Sequence, residues 1–176
     1  MFGFSRFASN LIAFRRSSFG AARPFNVGSA RLLGLEVAAG ASVWSTVRAE
    51  LALSTLDPRN TTEGRGPGND ILPFQSRLVV APLLEFYREG LRRFAIDRLS
   101  LGARFLYRSS RVADPAGLVV LPEQRSLDLE LSVLLWQKRI AGRFRVANAL
   151  DTKNLDAVGL PLQGRSFHGS LEVWSW

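Results

Sequence analysis

The sequence of 176 residues contains no cysteine, a single histidine (His168) and a single methionine, its first residue. Without cysteine there is neither a disulfide framework nor a thiolate metal site. One histidine leaves no cluster of imidazoles to hold a metal. Lysine is nearly absent as well. Only Lys138 and Lys153 occur, so arginine carries almost all of the positive charge, 23 basic against 15 acidic residues for a net +8. Those arginines are scattered along the chain instead of forming a stripe or tail, so no nucleic-acid partner is expected. Long apolar runs are missing too. The longest covers 78–84, contains Pro82, and falls far short of the ~20 residues of a transmembrane helix. Residues 1–14 are broken by Arg6, Ser9 and Asn10, which leaves no uninterrupted export-signal segment. As it stands, the chain is expected to stay in the cytoplasm unless its true start lies upstream. An apolar fraction of 47% is nevertheless too high for a disordered polymer.

What the sequence does have is a period of two. Apolar and polar residues alternate without a break in Leu127-Asp128-Leu129-Glu130-Leu131-Ser132-Val133. The runs 47–54, 99–105 and 140–146 repeat the pattern. Alternation of this kind marks a strand with one apolar and one polar face. Between the runs lie Asp57-Pro58-Arg59-Asn60, Arg88-Glu89-Gly90, Asp114-Pro115-Ala116-Gly117, Gln137-Lys138-Arg139 and the stretch 151–164. Short and long connections alternate, as in meandering membrane barrels. Eight strands are predicted, over roughly 2–15, 28–42, 44–56, 75–88, 92–108, 125–136, 139–149 and 166–176. Most exceed the ~9–11 residues that cross a bilayer as a tilted strand, whereas strands of globular proteins average about five or six.

Charge decides the predicted orientation. Asp128 and Glu130 share one face of the sixth strand, and Arg143 and Arg145 share one face of the seventh. A turn near Lys138 lets acids and arginines meet across the pair, worth about 0.2–1 kcal/mol each. In a barrel these four would face the lumen, because arginine toward lipid costs about 2–4 kcal/mol at the midplane. The other reading of the same alternation is the solvated face of a soluble sheet. The aromatics favour the membrane: Trp44, Tyr87, Tyr107, Trp136, Trp174 and Trp176 all fall near predicted strand ends, where rings settle at the membrane–water interface.

Two stretches carry a family resemblance. Asn26-Val27-Gly28-Ser29-Ala30-Arg31-Leu32-Leu33-Gly34-Leu35-Glu36 resembles the N-x-G-x-A-x-x-x-G-x-E strand of TonB-dependent outer-membrane receptors. Asn148-Ala149-Leu150-Asp151, followed by Gly159-Leu160-Pro161-Leu162-Gln163-Gly164-Arg165-Ser166-Phe167, resembles their C-terminal strand end, loop, G-x-P-x-P-G-R turn and last strand. Leu72-Pro73 and Leu121-Pro122 fit the same order. Trp176 resembles the terminal aromatic read by the barrel-assembly machinery. Ala149, Leu150, Leu155 and Gln163 depart from the usual pattern. In the last strand Phe167, Leu171 and Val173 share one parity and Trp174 and Trp176 the other, so either a bulge shifts the phase near Val173 or the tryptophans point to the opposite face.

The resemblance implies an all-β fold, an antiparallel up-and-down transmembrane β-barrel segment of about eight strands. It assigns residues 1–176 to the C-terminal part of a barrel of about 22 strands, with the plug domain and N-terminal strands absent. It implies a location in the bacterial outer membrane and uptake of a metal chelate, siderophore or cobalamin-like. The implied partners are outer-membrane lipid and the barrel-assembly machinery. An energy-transducing periplasmic protein would be reached only through the missing N-terminal part. Alone, the chain is not expected to transport. A gene fragment or a mis-assigned start would explain it. The loops at 57–73, 109–124 and 151–165 would be extracellular. An alternative is a self-contained eight-stranded barrel with a structural or adhesive role.

No enzyme is expected, and no cofactor, metal or catalytic residue is assigned. His168 and Ser170 share a strand face as in an outer-membrane phospholipase, and Asn148 or Glu172 could be imagined to orient the base. The family position of His168 after Gly-Arg-Ser-Phe accounts for it without catalysis. Gly64-Arg65-Gly66-Pro67-Gly68 lacks the strand-to-helix setting of a phosphate loop. Asn60-Thr61-Thr62 matches a glycosylation sequon, and Asp57, Glu63, Asn69 and Asp70 match no calcium-loop spacing.

Overall fold

The computed structural model describes residues 1–16, 21–63, 70, 72–91, 95–114 and 117–174. The Gly64–Gly68 segment, Asn69 and Trp176 therefore lie outside the described residues. The elements in chain order are β1 (Phe2–Arg16), β2 (Ala22–Val43), β3 (Val47–Asn60), β4 (Leu78–Leu91), β5 (Ile96–Arg108), β6 (Arg111–Val112), β7 (Val120–Leu121), β8 (Gln124–Leu135), β9 (Ile140–Ala147), β10 (Leu155–Ala157), β11 (Leu160–Pro161) and β12 (Ser166–Val173). Eight of these form one antiparallel sheet in the order β1-β2-β3-β4-β5-β8-β9-β12, with β1 and β12 at its two edges. The pairs β6–β7 and β10–β11 are short ribbons inside the long connections. The all-β, up-and-down antiparallel architecture expected from the alternation is present.

The strands differ in extent from the expectation, for physical reasons. Asp57 to Asn60 do not open a loop. They continue β3, because Asp57 to Asn60 pair with Leu33 to Ala30 of β2. Ion pairs hold that extension, Arg59 Nε to Asp57 Oδ1 at 2.7 Å and Arg59 Nη1 to Asp70 Oδ2 at 2.5 Å. β2 starts at Ala22 instead of residue 28, since residues 22–27 complete the ladder with β1. Arg88-Glu89-Gly90 is likewise strand and not turn: Glu89 pairs with Arg98 and Leu91 with Ile96. Composition misled here because Gly90, with the positive φ of 72° of a turn residue, sits between the paired Glu89 and Leu91. Pro82 has no N–H to give. The paired residues of β4 and β5 pass from Val80–Tyr107 to Leu83–Arg104, leaving out Ala81 and Pro82.

Two tight connections use left-handed backbone. Trp44 and Ser45 have φ of 52° and 53°, and Trp136, Gln137 and Lys138 have φ of 51°, 58° and 64°. Left-handed turn residues match the twist of the strands they join. The turns close with Thr46 N–H to the Val43 carbonyl and Arg139 N–H to the Trp136 carbonyl, both 3.2 Å.

The sheet has almost no core. Among the described residues the buried apolar side chains are Val27, Ala30, Pro58, Pro73 and Leu121. One sheet face carries Leu33, Leu51, Leu84, Phe86, Leu101, Leu131, Phe144, Phe167, Leu171 and Val173, all substantially exposed. They share that face because the registers Leu51–Pro82, Phe86–Leu101, Leu101–Leu131, Leu131–Phe144 and Phe144–Gly169 run continuously across it.

Candidate functional site

The opposite face is charged, and its side chains meet across the ladders. Asp128 of β8 binds Arg145 of β9, and Arg143 Nε lies 3.3 Å from Glu130 Oε1. All four therefore occur on one face, in two ion pairs. Ser100 and Ser132 share a hydroxyl hydrogen bond of 2.6 Å between β5 and β8. Further out, Arg98 of β5 reaches Glu85 at 3.2 Å and Glu89 at 3.8 Å on β4. Its guanidinium also covers the Tyr87 ring, 4.5 Å from the centroid. Arg48 donates through Nε to Glu50 Oε1 at 2.8 Å on β3. A shallow groove runs over this face between Arg48, Glu50, Glu85, Arg104, Glu130 and Arg145.

The first family stretch supplies seats for close packing. Gly28, Ala30 and Gly34 share one parity on β2. A Cβ on Gly34 would lie 2.3 Å from Phe4 Cζ, so the Phe4 ring rests on bare backbone. Arg6 also lies over that ring, 5.2 Å from its centroid. At Gly28 a Cβ would come within 2.9 Å of Thr62 Cγ2. The Ser29 N–H donates to Thr62 Oγ1 at 3.2 Å, and buried Asn60 accepts the Thr62 N–H at 3.1 Å. Asn26 pairs with Ile12, and Glu36 with Phe2 and Ser54.

The second stretch builds a polar staple. Asn148, buried and at φ of 48°, donates through Nδ2 to the Thr152 carbonyl at 3.0 Å and the Gln163 carbonyl at 3.4 Å. Its Oδ1 accepts the Thr152 N–H at 3.1 Å. Its own N–H reaches Asp128 Oδ1 at 3.0 Å. Asp151 Oδ1 accepts the Arg165 N–H at 2.9 Å. Gly164 leaves room for that carboxylate, since a Cβ there would be 3.1 Å away. Gly159 turns the β10–β11 ribbon at φ of 77°, and Pro161 pairs with Leu155. Phe167 stacks with Phe144, centroids 6.4 Å apart.

A second lock joins the two ribbons. Buried Arg111 donates through Nη2 to the Asp156 carbonyl at 2.7 Å and the Leu155 carbonyl at 3.2 Å. Gln124 donates to the same Leu155 carbonyl. Burial lowers the Arg111 pKa first, nearby Arg108 lowers it further, and Asp156 opposes both. Sequence reasoning did not find Arg111, Gln124 or Phe4. Their roles depend on contacts between connections far apart in the chain, and no local period marks them.

The predicted interfacial aromatics separate. Trp44, Trp136 and Trp174 lie at the end of the sheet with the short turns, and all are exposed. Tyr107 has the apolar-face parity of β5. Tyr87 lies instead on the charged face under Arg98. The register of β12 with β9 runs without a shift to Val173–Ile140, so no bulge changes the phase before Trp174. His168 Nε2 lies 3.1 Å from Ser166 Oγ, exposed. The Asn148 amide group is engaged by the staple and does not orient it.

No protein-family profile matches the sequence, and no curated protein does. Solved structures do. The chain is similar to BauA, the ferric preacinetobactin receptor from Acinetobacter baumannii, with a TM-score of 0.71 at 15% identity. The match covers 96% of this chain and 26% of that one. It is also similar to Fiu, the ferric-catecholate import receptor from E. coli K12, with a TM-score of 0.65 at 13% identity, over 95% of this chain and 24% of that one. The chain thus spans about a quarter of the receptors it matches. Its fold is similar to the matched part of these receptors and agrees with the all-β expectation: eight antiparallel strands in one up-and-down sheet.

Proposed function

We propose that this chain is the C-terminal part of the barrel of a TonB-dependent receptor that takes up a metal chelate, siderophore or cobalamin-like, across the bacterial outer membrane. The observation that carries this reading is the height of the exposed apolar band. On β2 it runs from Leu33 to Val43 and stops at the Arg31–Asp57 ion pair. Ten residue steps at ~3.3 Å make about 33 Å along the strand. At a tilt of ~40° that spans about 25 Å, the height of the apolar band of outer-membrane barrels. A soluble sheet would bury this face against a second layer.

In this reading Asp128, Glu130, Arg143 and Arg145 face the lumen, and the ion pairs replace water there. Trp44 and Trp136 anchor one interface, whereas Trp174 keeps the parity of the charged face. Plug, remaining strands and the contact with the energy-transducing partner come from the rest of the receptor. The fold neighbours are receptors rather than enzymes, in keeping with a chain that carries no catalytic function of its own.

Refolding into detergent micelles and phospholipid vesicles tests this. The expected result is a strand-rich chain that floats with vesicles yet gives no heat-modifiable monomer on gels, because β1 and β12 leave two unpaired edges. A compact heat-modifiable monomer would instead establish a self-contained eight-stranded barrel. A chain that stays in solution and does not float would overturn the membrane reading.

A further inference from the structure

The short-turn end of the sheet is stitched into one rim. Tyr87 N–H donates to the Thr46 carbonyl at 2.8 Å, Trp136 N–H to Ala95 at 3.1 Å and Trp174 N–H to Arg139 at 2.9 Å. The Lys138 N–H donates to Asp97 Oδ2 at 2.8 Å. Among the described residues, three cations without an acidic partner lie at this rim. Arg88 follows Leu84 and Phe86 on the apolar face of β4, one step beyond the Val47–Phe86 pair that ends the β3–β4 ladder. Lys138 and Arg139 lie in the exposed β8–β9 turn next to Trp136.

Among the described residues none of the three makes an ion pair, while nine other pairs form elsewhere. The acids nearby are otherwise engaged: Glu89 with Arg98, and Asp97 with the Lys138 backbone. At the opposite end of the same face, by contrast, Arg31 and Arg59 share Asp57 and Asp70. On β2 and β3 the apolar band therefore ends in paired charge at one boundary, and at the short-turn rim it ends in free positive charge beside indole rings.

We infer that this rim, Arg88, Lys138 and Arg139 with Trp136, binds the headgroups of anionic phospholipids in the leaflet it meets. The inference rests on the membrane reading above. Guanidinium and ammonium groups donate to phosphodiester oxygens. Indole rings fill the headgroup level. An anionic surface attracts each nearby Lys or Arg by a factor of about five in affinity.

The test is flotation of the full chain with vesicles of phosphatidylcholine alone and with 30% phosphatidylglycerol. The expected preference for the anionic vesicles is on the order of 100-fold for three cations, and falls as salt rises. The triple variant Arg88→Gln, Lys138→Gln, Arg139→Gln should lose that preference and still float with the neutral vesicles. A control triple at the long-loop end, Arg23→Gln, Arg77→Gln, Lys153→Gln, should keep it. If both triples lose it equally, net charge and not the rim explains binding, and the inference falls while the membrane reading stands. The inference also falls if the same cations recruit lipopolysaccharide in preference to phosphatidylglycerol. Failure of the parent chain to float with either vesicle would overturn the membrane reading itself. Single substitutions, each expected to cost about fivefold, decide the matter if the triple variant does not float with neutral vesicles.

Discussion

Leu131 lies midway along β8 on the apolar face, between Leu101 and Phe144, and is 45% exposed. Replacing it with arginine separates a lipid-facing sheet from a water-facing one. In water, an exposed substitution away from caps and networks changes stability by about 0.5 kcal/mol or less. Near the midplane of a bilayer, arginine on the lipid face costs about 2–4 kcal/mol. That is a factor of roughly 30 to 700 in the bound-to-free ratio. The control is Leu83→Arg on β4, which puts the same side chain on the charged face beside Glu50 and Glu85. There the charge meets carboxylates, and the cost should stay below about 1 kcal/mol. Flotation is measured at the urea concentration where half of the parent chain is vesicle-bound. Leu131→Arg should leave about 4% bound or less, and Leu83→Arg about 15% or more. Equal binding of the two variants would refute the assignment of the faces.

The Gly34 seat predicts that Gly34→Leu loses about 1–3 kcal/mol by overpacking against Phe4. Adding Phe4→Ala should recover part of that loss in a double-mutant cycle read by urea titration. Asn148→Ala removes the donors to the Thr152 and Gln163 carbonyls, and should speed limited proteolysis within 149–165 without changing strand content by circular dichroism. Arg111→Gln deprives the Asp156 carbonyl of its side-chain donor and leaves the Leu155 carbonyl to Gln124 alone, at a cost of about 1–3 kcal/mol. Hydrogen exchange should then rise in both ribbons, and not only in the one that carries residue 111.

Much of this architecture was legible because period two is a local signal. The run from Leu127 to Val133 announces its two faces by itself, and the charges on β8 and β9 fall opposite one another once the turn at Lys138 is fixed. Strand ends were less legible. Asp57 to Asn60 looks like a loop by composition, yet Arg31, Arg59 and Asp70 neutralise it and the ladder continues. The turn-like Arg88-Glu89-Gly90 is held as strand by Arg98 from the neighbouring β5. Tyr87 shows the limit of position alone. A tyrosine near a strand end suits either face, and its parity with Glu85 places it under Arg98 instead of beside Phe86. The motif residues were readable as a pattern long before their purpose was: Gly34 matters through Phe4, and Asp151 through the amide of Arg165.

In the membrane reading proposed above, the ion pairs between β8 and β9 would also act as a proofreading device during assembly. Hydrogen bonding alone would tolerate a ladder slipped by one residue. Such a slip turns every side chain of the strand over. If β9 slipped against β8, Arg143 and Arg145 would leave Glu130 and Asp128 and enter the lipid layer, at about 2–4 kcal/mol each near the midplane. A misaligned hairpin would thus be rejected by the bilayer itself, with no chaperone needed to recognise the error.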